Sequence, residues 1–326
     1  MTDHLALGKA LNLGLRHALE QDDKVVLMGE DIGRLGGVFR VTDGLQKDFG
    51  PDRVRDTPLA ESAIVGTAVG LAMRGFRPVI EIQFDGFVFV AFDQIVNHVA
   101  RMHFRSRGSV RMPIVIRIPY GGGIGAVEHH SESPEAFFAH VPGLRVVTCG
   151  TPQDAYSLMR RAIACDDPVV FLEPKRRYWL NGQVDTSRPA ESWTSRVLRS
   201  SPESTATLVT YGPLVPTAIE TAEALAADGV EIDVIDLRTL SPLDLEPVFD
   251  SVRTTGRLVV AHEAPGNLGL GAEVAARVTE ECFYSLEAPV LRVTGYDIPY
   301  PPSRIEHDYL PDVDRIIDAI ERAEAF

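Results

Sequence analysis

Residues 56–75 read DTPLAESAIVGTAVGLAMRG, and this stretch is the best guide to the fold. Pro58 predicts the first turn of a helix, because a proline there loses no helical hydrogen bond. The stretch then becomes apolar, and Gly66 and Gly70 predict close approach by a neighbouring element. Glu61 is the single acid at the start of this apolar run. A carboxylate at the N-terminus of a buried helix also suits the helix dipole, so this stretch alone leaves the role of Glu61 open.

Short runs rich in Val and Ile alternate with amphipathic segments on both sides of this helix. An N-terminal helix over residues 1–23 is predicted by one apolar stripe, formed by Leu7, Leu11, Leu15 and Leu19. Parallel strands covered by helices on both faces produce such an alternation. Buried strands are predicted at residues 24–28, 78–84, 113–119, 145–149, 168–174, 207–211, 231–237, 257–264 and 289–295.

A polar stretch broken by Pro and Ser separates two regions of this kind. We therefore predict an α/β fold with two parallel-sheet domains, one over residues 1–185 and a smaller one over residues 205–326. Residues 186–204 are predicted to link them.

Composition and charge narrow the possible functions. The 326 residues carry a formal net charge of −14, which argues against nucleic acid or an anionic membrane as a partner. The spacing of Cys149, Cys165 and Cys282 suits neither a disulfide framework nor a metal-ligand pair. The N-terminus lacks the basic start and continuous apolar core of a signal peptide, and no apolar run reaches membrane-spanning length. We therefore expect a cytoplasmic protein.

Polar and aromatic residues follow the carboxyl ends of the predicted strands, where open parallel sheets bind their ligands. The group comprises Glu30, Asp31, Glu61, Gln83, Phe84, Phe87, Tyr120, the glycines from Gly121 to Gly125, His129 and His130. Because it contains acids, an amide, aromatic rings and a histidine pair but no cluster of cations, it favours a flat heteroaromatic ligand over a phosphate. Each residue also has a structural interpretation: the phenylalanines as core, the histidines as loop surface, and Glu30 as a turn cap.

Two glycine-rich segments are weak evidence for a nucleotide site. GGGIG, from Gly121, offers backbone amides to a phosphate, but no Lys-Ser or Lys-Thr follows it as in a P-loop. GNLGLGAE, residues 266–273, has GxxGxG spacing in place of GxGxxG, which argues against nicotinamide binding. The sequence contains no GxSxG, HExxH, CxxC or EF-hand pattern, so a metal-first mechanism has no support.

Eight collinear segments, which span nearly the whole chain, resemble one protein family. They are GEDIG, GGVFRVTDGL, DTPLAESAIVG, EIQFDGFVFVAFDQIVN, HHSESPEAFFAHVPGLRVV, DDPVVFLEPK, HEAP and EECFYSLEAPVLRVTGYDIPYP. The chain resembles the beta subunit of the thiamine-diphosphate-dependent dehydrogenase component of 2-oxoacid dehydrogenase complexes. EIQF, SPEAFFAH, FLEPK, HEAP and EECF with LEAP most resemble the branched-chain (2-oxoisovalerate) members, with the pyruvate members second. The resemblance implies a transketolase-like pyrimidine-binding domain followed by a transketolase C-terminal domain.

The resemblance also implies roles for five residues. Glu61 matches the acid that bonds a ring nitrogen of the thiamine pyrimidine, and apolar surroundings would exclude water from it. Phe87 matches the aromatic residue that packs on the pyrimidine, and Gln83 matches a position in the substrate pocket. His130 matches the histidine thought to assist acyl transfer to the lipoyl arm, and Glu30 matches a buried acid further inside.

The family further contains a structural monovalent cation, usually potassium, held mostly by carbonyl oxygens. By alignment, its ligands here would be Ile114, Ala162, Ile163, Cys165 and Asp167. Cys165 stands where an aspartate is common, which main-chain ligation would tolerate.

The GDG…NN segment that holds magnesium and diphosphate in thiamine enzymes does not occur in this sequence. In two-subunit dehydrogenases it belongs to the alpha subunit, so the resemblance implies an α2β2 heterotetramer with thiamine diphosphate shared between subunits and magnesium held by alpha. It also implies docking to a lipoyl acyltransferase core and a small 2-oxoacid substrate. Alternatives left open are a pyruvate or acetoin dehydrogenase beta subunit, a transketolase-type transferase, and a non-catalytic assembly subunit in which Glu61 only begins a helix.

Overall fold

A computed structural model describes residues 2–188 and 192–326. Met1, in the predicted first domain, and residues 189–191, in the predicted linker, lie outside the described residues. Within the described ranges, no helix is long and apolar enough to cross a membrane.

Strands and helices alternate through the first half of the chain. The strands are β1 (Thr2–Ala6), β2 (Val25–Gly29), β3 (Val54–Asp56), β4 (Arg77–Glu81), β5 (Val115–Tyr120), β6 (Arg145–Thr148), β7 (Val169–Pro174) and β8 (Asn181–Asp185). The helices are α1 (Leu7–Gln21), α2 (Leu45–Phe49), α3 (Glu61–Met73), α4 (Met102–Arg105), α5 (Glu135–Ala139) and α6 (Pro152–Ala164). A short 3-10 turn at Phe87–Ala91 and a π-helical turn at Gln94–Val99 precede α4.

The second half repeats the alternation. Its strands are β9 (Arg196–Arg199), β10 (Ala206–Thr210), β11 (Ile232–Asp236), β12 (Thr239–Ser241), β13 (Leu258–Pro265) and β14 (Leu291–Gly295). Its helices are α7 (Val215–Ala227), α8 (Glu246–Thr255), α9 (Leu270–Cys282), α10 (Glu306–Tyr309) and α11 (Val313–Glu324).

Sheet 1 has seven strands in the order β12-β6-β7-β5-β4-β2-β3. All neighbours are parallel except β12, which comes from the second half and pairs antiparallel with β6. Two apolar layers cover this sheet, one formed with α1 and α6 and the other with α3. Burial on both faces explains why β2 is a continuous apolar run and why β5 and β7 are apolar apart from Arg117 and Glu173, which pair with each other.

Sheet 2 has five strands in the order β14-β13-β10-β11-β9. The first four are parallel, and β9 pairs antiparallel with β11. A separate antiparallel pair, β1 with β8, joins the two ends of the first half. The predicted α/β fold with two mostly parallel sheets is confirmed.

The antiparallel strands were not predicted. β9 lies inside the predicted linker of residues 186–204, and β1 lies in the predicted N-terminal helix, which instead begins at Leu7. These strands are exposed or half-buried along much of their length, so their sequences lack the apolar run that identified the central strands. The described part of residues 186–204 therefore contributes an edge strand to sheet 2.

Helix α3 differs from the prediction in two respects. It begins at Glu61, so Pro58 lies in the preceding loop and does not open the first turn. Its buried face packs toward sheet 1, whereas Gly66 and Gly70 are exposed and a Cβ built on either would meet no atom within 4 Å. The predicted close approach at these glycines is therefore not made by the described residues of this chain.

Candidate active site

The predicted site residues lie at the carboxyl edge of sheet 1. Glu30 directly follows β2, and Gln83 lies two residues beyond β4. Glu61 is the first residue of α3, which follows β3. Because β3, β2 and β4 are adjacent and parallel, their carboxyl ends bring these residues to one edge.

Gln83 joins the ends of two strands. Its Nε2 donates to the Glu30 carbonyl oxygen at 2.7 Å and to Glu81 Oε1 at 3.0 Å. Gln83 is buried, and the peptide bond between it and Phe84 is cis. The two hydrogen bonds fix the orientation of the Gln83 amide beside the acids of the site.

Glu30 is a buried acid with an unused acceptor. Only 6% of the residue is exposed, and within the described ranges its Oε1 has no hydrogen-bond partner. Burial is the main cause that raises the pKa of Glu30 to about 7, and the charge of Glu61 is the next. Asp31 and Glu81 add smaller contributions. The electrostatic effect of Glu61 on Glu30 indicates that the two carboxyl groups share one environment.

Glu61 presents a second buried carboxyl group. It is 9% exposed, and across residues 2–188 and 192–326 its carboxylate takes part in no hydrogen bond or ion pair. The adjacent Ser62 Oγ donates to the Val90 carbonyl at 2.7 Å, which fastens the start of α3 to the Phe87–Ala91 turn. Glu61 is therefore held in place and is available to a ligand.

His130 lies against the aromatic side of the site. Its ring centroid is 5.0 Å from that of Phe84 and 5.3 Å from that of Phe87, both in edge-on contacts. The His129 ring lies beside it at a tilt of 51°, with ring centroids 4.3 Å apart. Phe87 is 39% exposed, so part of this residue remains accessible to a ligand. The structure thus brings the predicted histidine and both predicted phenylalanines together.

The surroundings of His130 favour its neutral form. Burial is the main cause that lowers the pKa of His130, and the charges of His129 and Lys175 lower it further. Nδ1 lies 3.0 Å from the His129 carbonyl oxygen, which can only accept, so Nδ1 carries the proton. Nε2 of the neutral ring then holds a lone pair and can accept a proton.

Two buried cations adjoin the site, whereas the sequence predicts no cluster of cations there. Lys175, directly after β7, has its Nζ 2.5 Å from Asp85 Oδ1, and neither side chain is exposed. Arg117, on β5, bonds Glu81 through Nη1 and Glu173 through Nε and Nη2. Their signal was present in the sequence, because both cations lie in or directly after predicted central strands.

The glycine loop after β5 is filled by carboxylates of the second half. The Gly122 amide donates to Glu263 Oε1 at 2.5 Å, and the Gly123 and Gly125 amides donate to Glu306 at 3.2 and 2.9 Å. The amides considered for a phosphate therefore bind acids of the same chain. Tyr120, also predicted for the site, is instead in the core, where its hydroxyl lies 3.1 Å from that of Thr148.

Two of the five residues predicted to bind potassium, Ile163 and Cys165, contact an arginine. Arg77 Nη1 donates to the Ile163 and Cys165 carbonyl oxygens at 3.2 and 3.0 Å, and its Nη2 donates to Asp166 at 2.7 Å. The carbonyl oxygens of Ile114 and Ala162 each accept a backbone amide. The Ile163 and Cys165 oxygens converge, but a cation there would share them with a guanidinium.

Two family profiles match most of the chain. "Transketolase, pyrimidine binding domain" matches residues 3–179, and "Transketolase, C-terminal domain" matches residues 195–316. Among solved structures, "Split gene transketolase, inactive beta4 tetramer" has a TM-score of 0.79 and covers 98% of each chain. At 22% identity, this likeness shows the fold alone.

Curated relatives are similar over nearly the full length. The "Pyruvate dehydrogenase E1 component subunit beta" of Leifsonia xyli is 58% identical, with 99% of this chain and 95% of that protein covered. The "3-methyl-2-oxobutanoate dehydrogenase subunit beta" of Mycobacterium tuberculosis is 54% identical, covering 99% and 92%. The "2-oxoisovalerate dehydrogenase subunit beta" of Pseudomonas aeruginosa is 44% identical, covering 96% and 93%.

Proposed function

The chain belongs to the beta subunits of the thiamine-diphosphate-dependent 2-oxoacid dehydrogenases, and from this premise we propose that it is the beta subunit of a branched-chain (2-oxoisovalerate) dehydrogenase. It would act in oxidative decarboxylation of the 2-oxoacid and in acyl transfer to a lipoyl acyltransferase. The observation that carries the proposal is the contact between the Phe87 and His130 rings, with Ser62, the neighbour of Glu61, bonded to the turn that Phe87 begins.

Glu61 and Phe87 fit the pyrimidine half of thiamine diphosphate. When bound, this cofactor supplies a carbon nucleophile and stores the electron pair left after carbon dioxide departs. Glu61 is buried and has no bonding partner within the described ranges, so its carboxyl group can bond a ring nitrogen. Phe87, which is 39% exposed, would pack on the flat pyrimidine ring. Gln83 and Glu30 would line the deeper part of the same site, where Gln83 holds the Glu30 backbone.

His130 would serve proton transfer during acyl transfer. The lipoyl disulfide is the two-electron oxidant of this step: one sulfur takes the acyl group, the S–S bond breaks and the other sulfur leaves as a thiolate. The lone pair at His130 Nε2 can accept the proton released as the acyl carbonyl forms and deliver it to that thiolate. The lowered pKa of His130 keeps its ring in the neutral form near neutral pH.

We propose that an alpha subunit completes the site in an α2β2 heterotetramer. The alpha subunit would hold magnesium and the diphosphate, because this chain's glycine loop binds its own carboxylates. The negative net charge of this chain suits a basic docking domain on an acyltransferase core in the cytoplasm.

For potassium, we propose a structural site at the carbonyl oxygens of Ile163 and Cys165. Each carbonyl oxygen has two lone pairs, so these oxygens can serve both a cation and Arg77. Thermal unfolding at equal ionic strength in potassium and in choline chloride tests this. A higher Tm in potassium supports the site, and equal values contradict it.

Glu61→Gln tests the catalytic proposal. We expect the variant to assemble with an alpha subunit and to lose decarboxylation by about 100-fold or more, since general acid–base groups contribute about 10²–10⁴-fold. Glu20→Gln, on the exposed surface of α1, is the matched control. Assembly with unchanged decarboxylation would favour the alternative of a non-catalytic assembly subunit.

The branched-chain substrate rests on the EIQF, SPEAFFAH and FLEPK segments and on two relatives named for it. Pyruvate is the alternative, because a relative named for it is 58% identical. Steady-state rates of this chain reconstituted with an alpha subunit, measured with 2-oxoisovalerate, pyruvate and acetoin, distinguish these substrates. A higher kcat/KM for pyruvate or acetoin would overturn the branched-chain assignment.

A further inference from the structure

Asp85 and Lys175 form an ion pair that has no part in the proposed chemistry. Both side chains are fully buried, and Lys175 Nζ lies 2.5 Å from Asp85 Oδ1. Burying two charges costs solvation free energy, which is recovered only when both are paired and well bonded. Further hydrogen bonds are therefore expected to stabilise such a pair next to the site.

The pair holds the segment that carries His130. Lys175 Nζ also donates to the His130 carbonyl oxygen at 2.5 Å, and Asp85 Oδ2 accepts from the Glu132 amide at 2.5 Å. The two contacts grip the backbone on either side of Ser131, which is itself buried. The loop from Val127 to Glu132 is thus fixed near its end.

The two anchors come from rigid parts of the fold. Asp85 lies four residues beyond β4, and Lys175 directly follows β7. β5 lies between these strands in sheet 1 and leads into the glycine loop that continues to His130. The pair therefore bridges the strand from which the histidine loop departs. The Lys175 ammonium also lies 5.5 Å from the ring centroid of Phe84, which contacts His130.

We propose that Asp85 and Lys175 are positioning residues that fix His130 for acyl transfer to the lipoyl group. The inference rests on the proposed function, since it assigns His130 to that step. Neither residue need touch substrate: the pair acts through the backbone of the His130 loop.

A double variant removes the pair without leaving one charge buried alone. Asp85→Asn keeps an oxygen that can accept from the Glu132 amide, and Lys175→Met removes the bond to His130. The two changes are therefore made together. The control is Glu231→Gln with Arg199→Met, which removes a half-buried ion pair at the edge of sheet 2, where the two side chains lie 2.6 Å apart.

The double variant and the control variant are each reconstituted with an alpha subunit, and two half-reactions of each enzyme are then compared. Decarboxylation is followed with an artificial dye as electron acceptor, and acyl transfer is followed on a lipoyl domain. We expect the double variant to keep decarboxylation and to lose acyl transfer by about 10- to 100-fold, the usual cost of misplacing a reacting group by about 1 Å. The control should keep both.

Equal loss of the two half-reactions, or loss of neither, overturns the positioning role. If the double variant does not fold, hydrogen exchange of the unmodified assembled enzyme decides: we expect the Glu132 amide to be protected like the core strands, and fast exchange contradicts the inference. Failure of the proposed function gives a different result, because the unmodified chain reconstituted with an alpha subunit would then decarboxylate no 2-oxoacid.

Discussion

At the level of single residues, the raised pKa of Glu30 arises mainly from the fold and not from its neighbours in sequence. Glu30 combines burial, a neighbouring carboxyl group at Glu61 and an oxygen without a partner within the described ranges. The sequence placed Glu30 after a strand, but its raised pKa depends on α3 and β4, which lie further along the chain. Lys175 is a similar case, because its partner Asp85 is 90 residues away.

Glu30→Gln should change how stability depends on pH. The pKa of Glu30 is about 7 in the folded chain, above the ordinary 4.5. Between these values the folded state binds more protons than the unfolded state, so the free energy of unfolding falls as pH rises. Because glutamine does not ionise, the free energy of unfolding of the variant does not include this fall with pH.

We expect the Tm difference, variant minus native, to become more positive by about 2–4 °C between pH 5 and pH 8, as about 2 kcal/mol would produce in a chain of this length. Glu20→Gln is the control, and its difference should stay flat. A Glu30→Gln difference that is equally flat would contradict a raised pKa for Glu30 in the folded chain.

At the level of elements, the central parallel strands could be predicted and the antiparallel edge strands could not. β5 and β7 are buried on both faces, so hydrophobic patterning is enough to identify them. β9 and β12 depend on pairing partners elsewhere in the chain, which a single sequence does not reveal. In the same way, the resemblance supplied the site residues, but it did not indicate that the glycine loop binds Glu263 and Glu306.

Glu263 should be important for stability because it joins two elements. It lies on β13, is 3% exposed, accepts from the Gly122 amide and lies 3.1 Å from Arg176 Nη2. Glu263→Ala would remove the acceptor of the Gly122 amide and the counter-ion of Arg176, which would keep only its hydrogen bond to the Pro213 carbonyl oxygen. We expect a loss of about 3–5 kcal/mol in the free energy of unfolding, the usual result of removing one partner of a buried ion pair.

Urea denaturation of Glu263→Ala measures this loss, with Glu273→Ala on the exposed side of α9 as the control. Proteolysis of the glycine loop should also become faster in the Glu263 variant. A loss below about 1 kcal/mol would mean that water or Arg176 compensates, and that the second half does not secure this loop.

At the level of the whole molecule, the two halves form one unit with an open face. β12 completes sheet 1, and the second half supplies the carboxylates that bind the glycine loop. Around Glu61, however, apolar surface remains uncovered: Leu59 is 83% exposed, and Phe87 is 39% exposed. Exposed apolar surface beside a buried acid is what half of a shared site would present.

Leu59→Asp should therefore weaken assembly with an alpha subunit while leaving the fold intact. Leu59 is 83% exposed, so an aspartate there should leave the Tm of this chain nearly unchanged. At a subunit interface the same change buries a charge without a partner, and we expect at least about a 30-fold weaker association, the equivalent of a 2 kcal/mol hot spot. Leu268→Asp, at a residue 85% exposed in the loop before α9, is the matched control. Sedimentation of each variant mixed with an alpha subunit measures the strength of association. The affinity for thiamine diphosphate with magnesium should fall together with assembly for Leu59→Asp and stay unchanged for Leu268→Asp. Tight cofactor binding by this chain without an alpha subunit would contradict a shared site, and equal effects of the two variants would place the interface elsewhere.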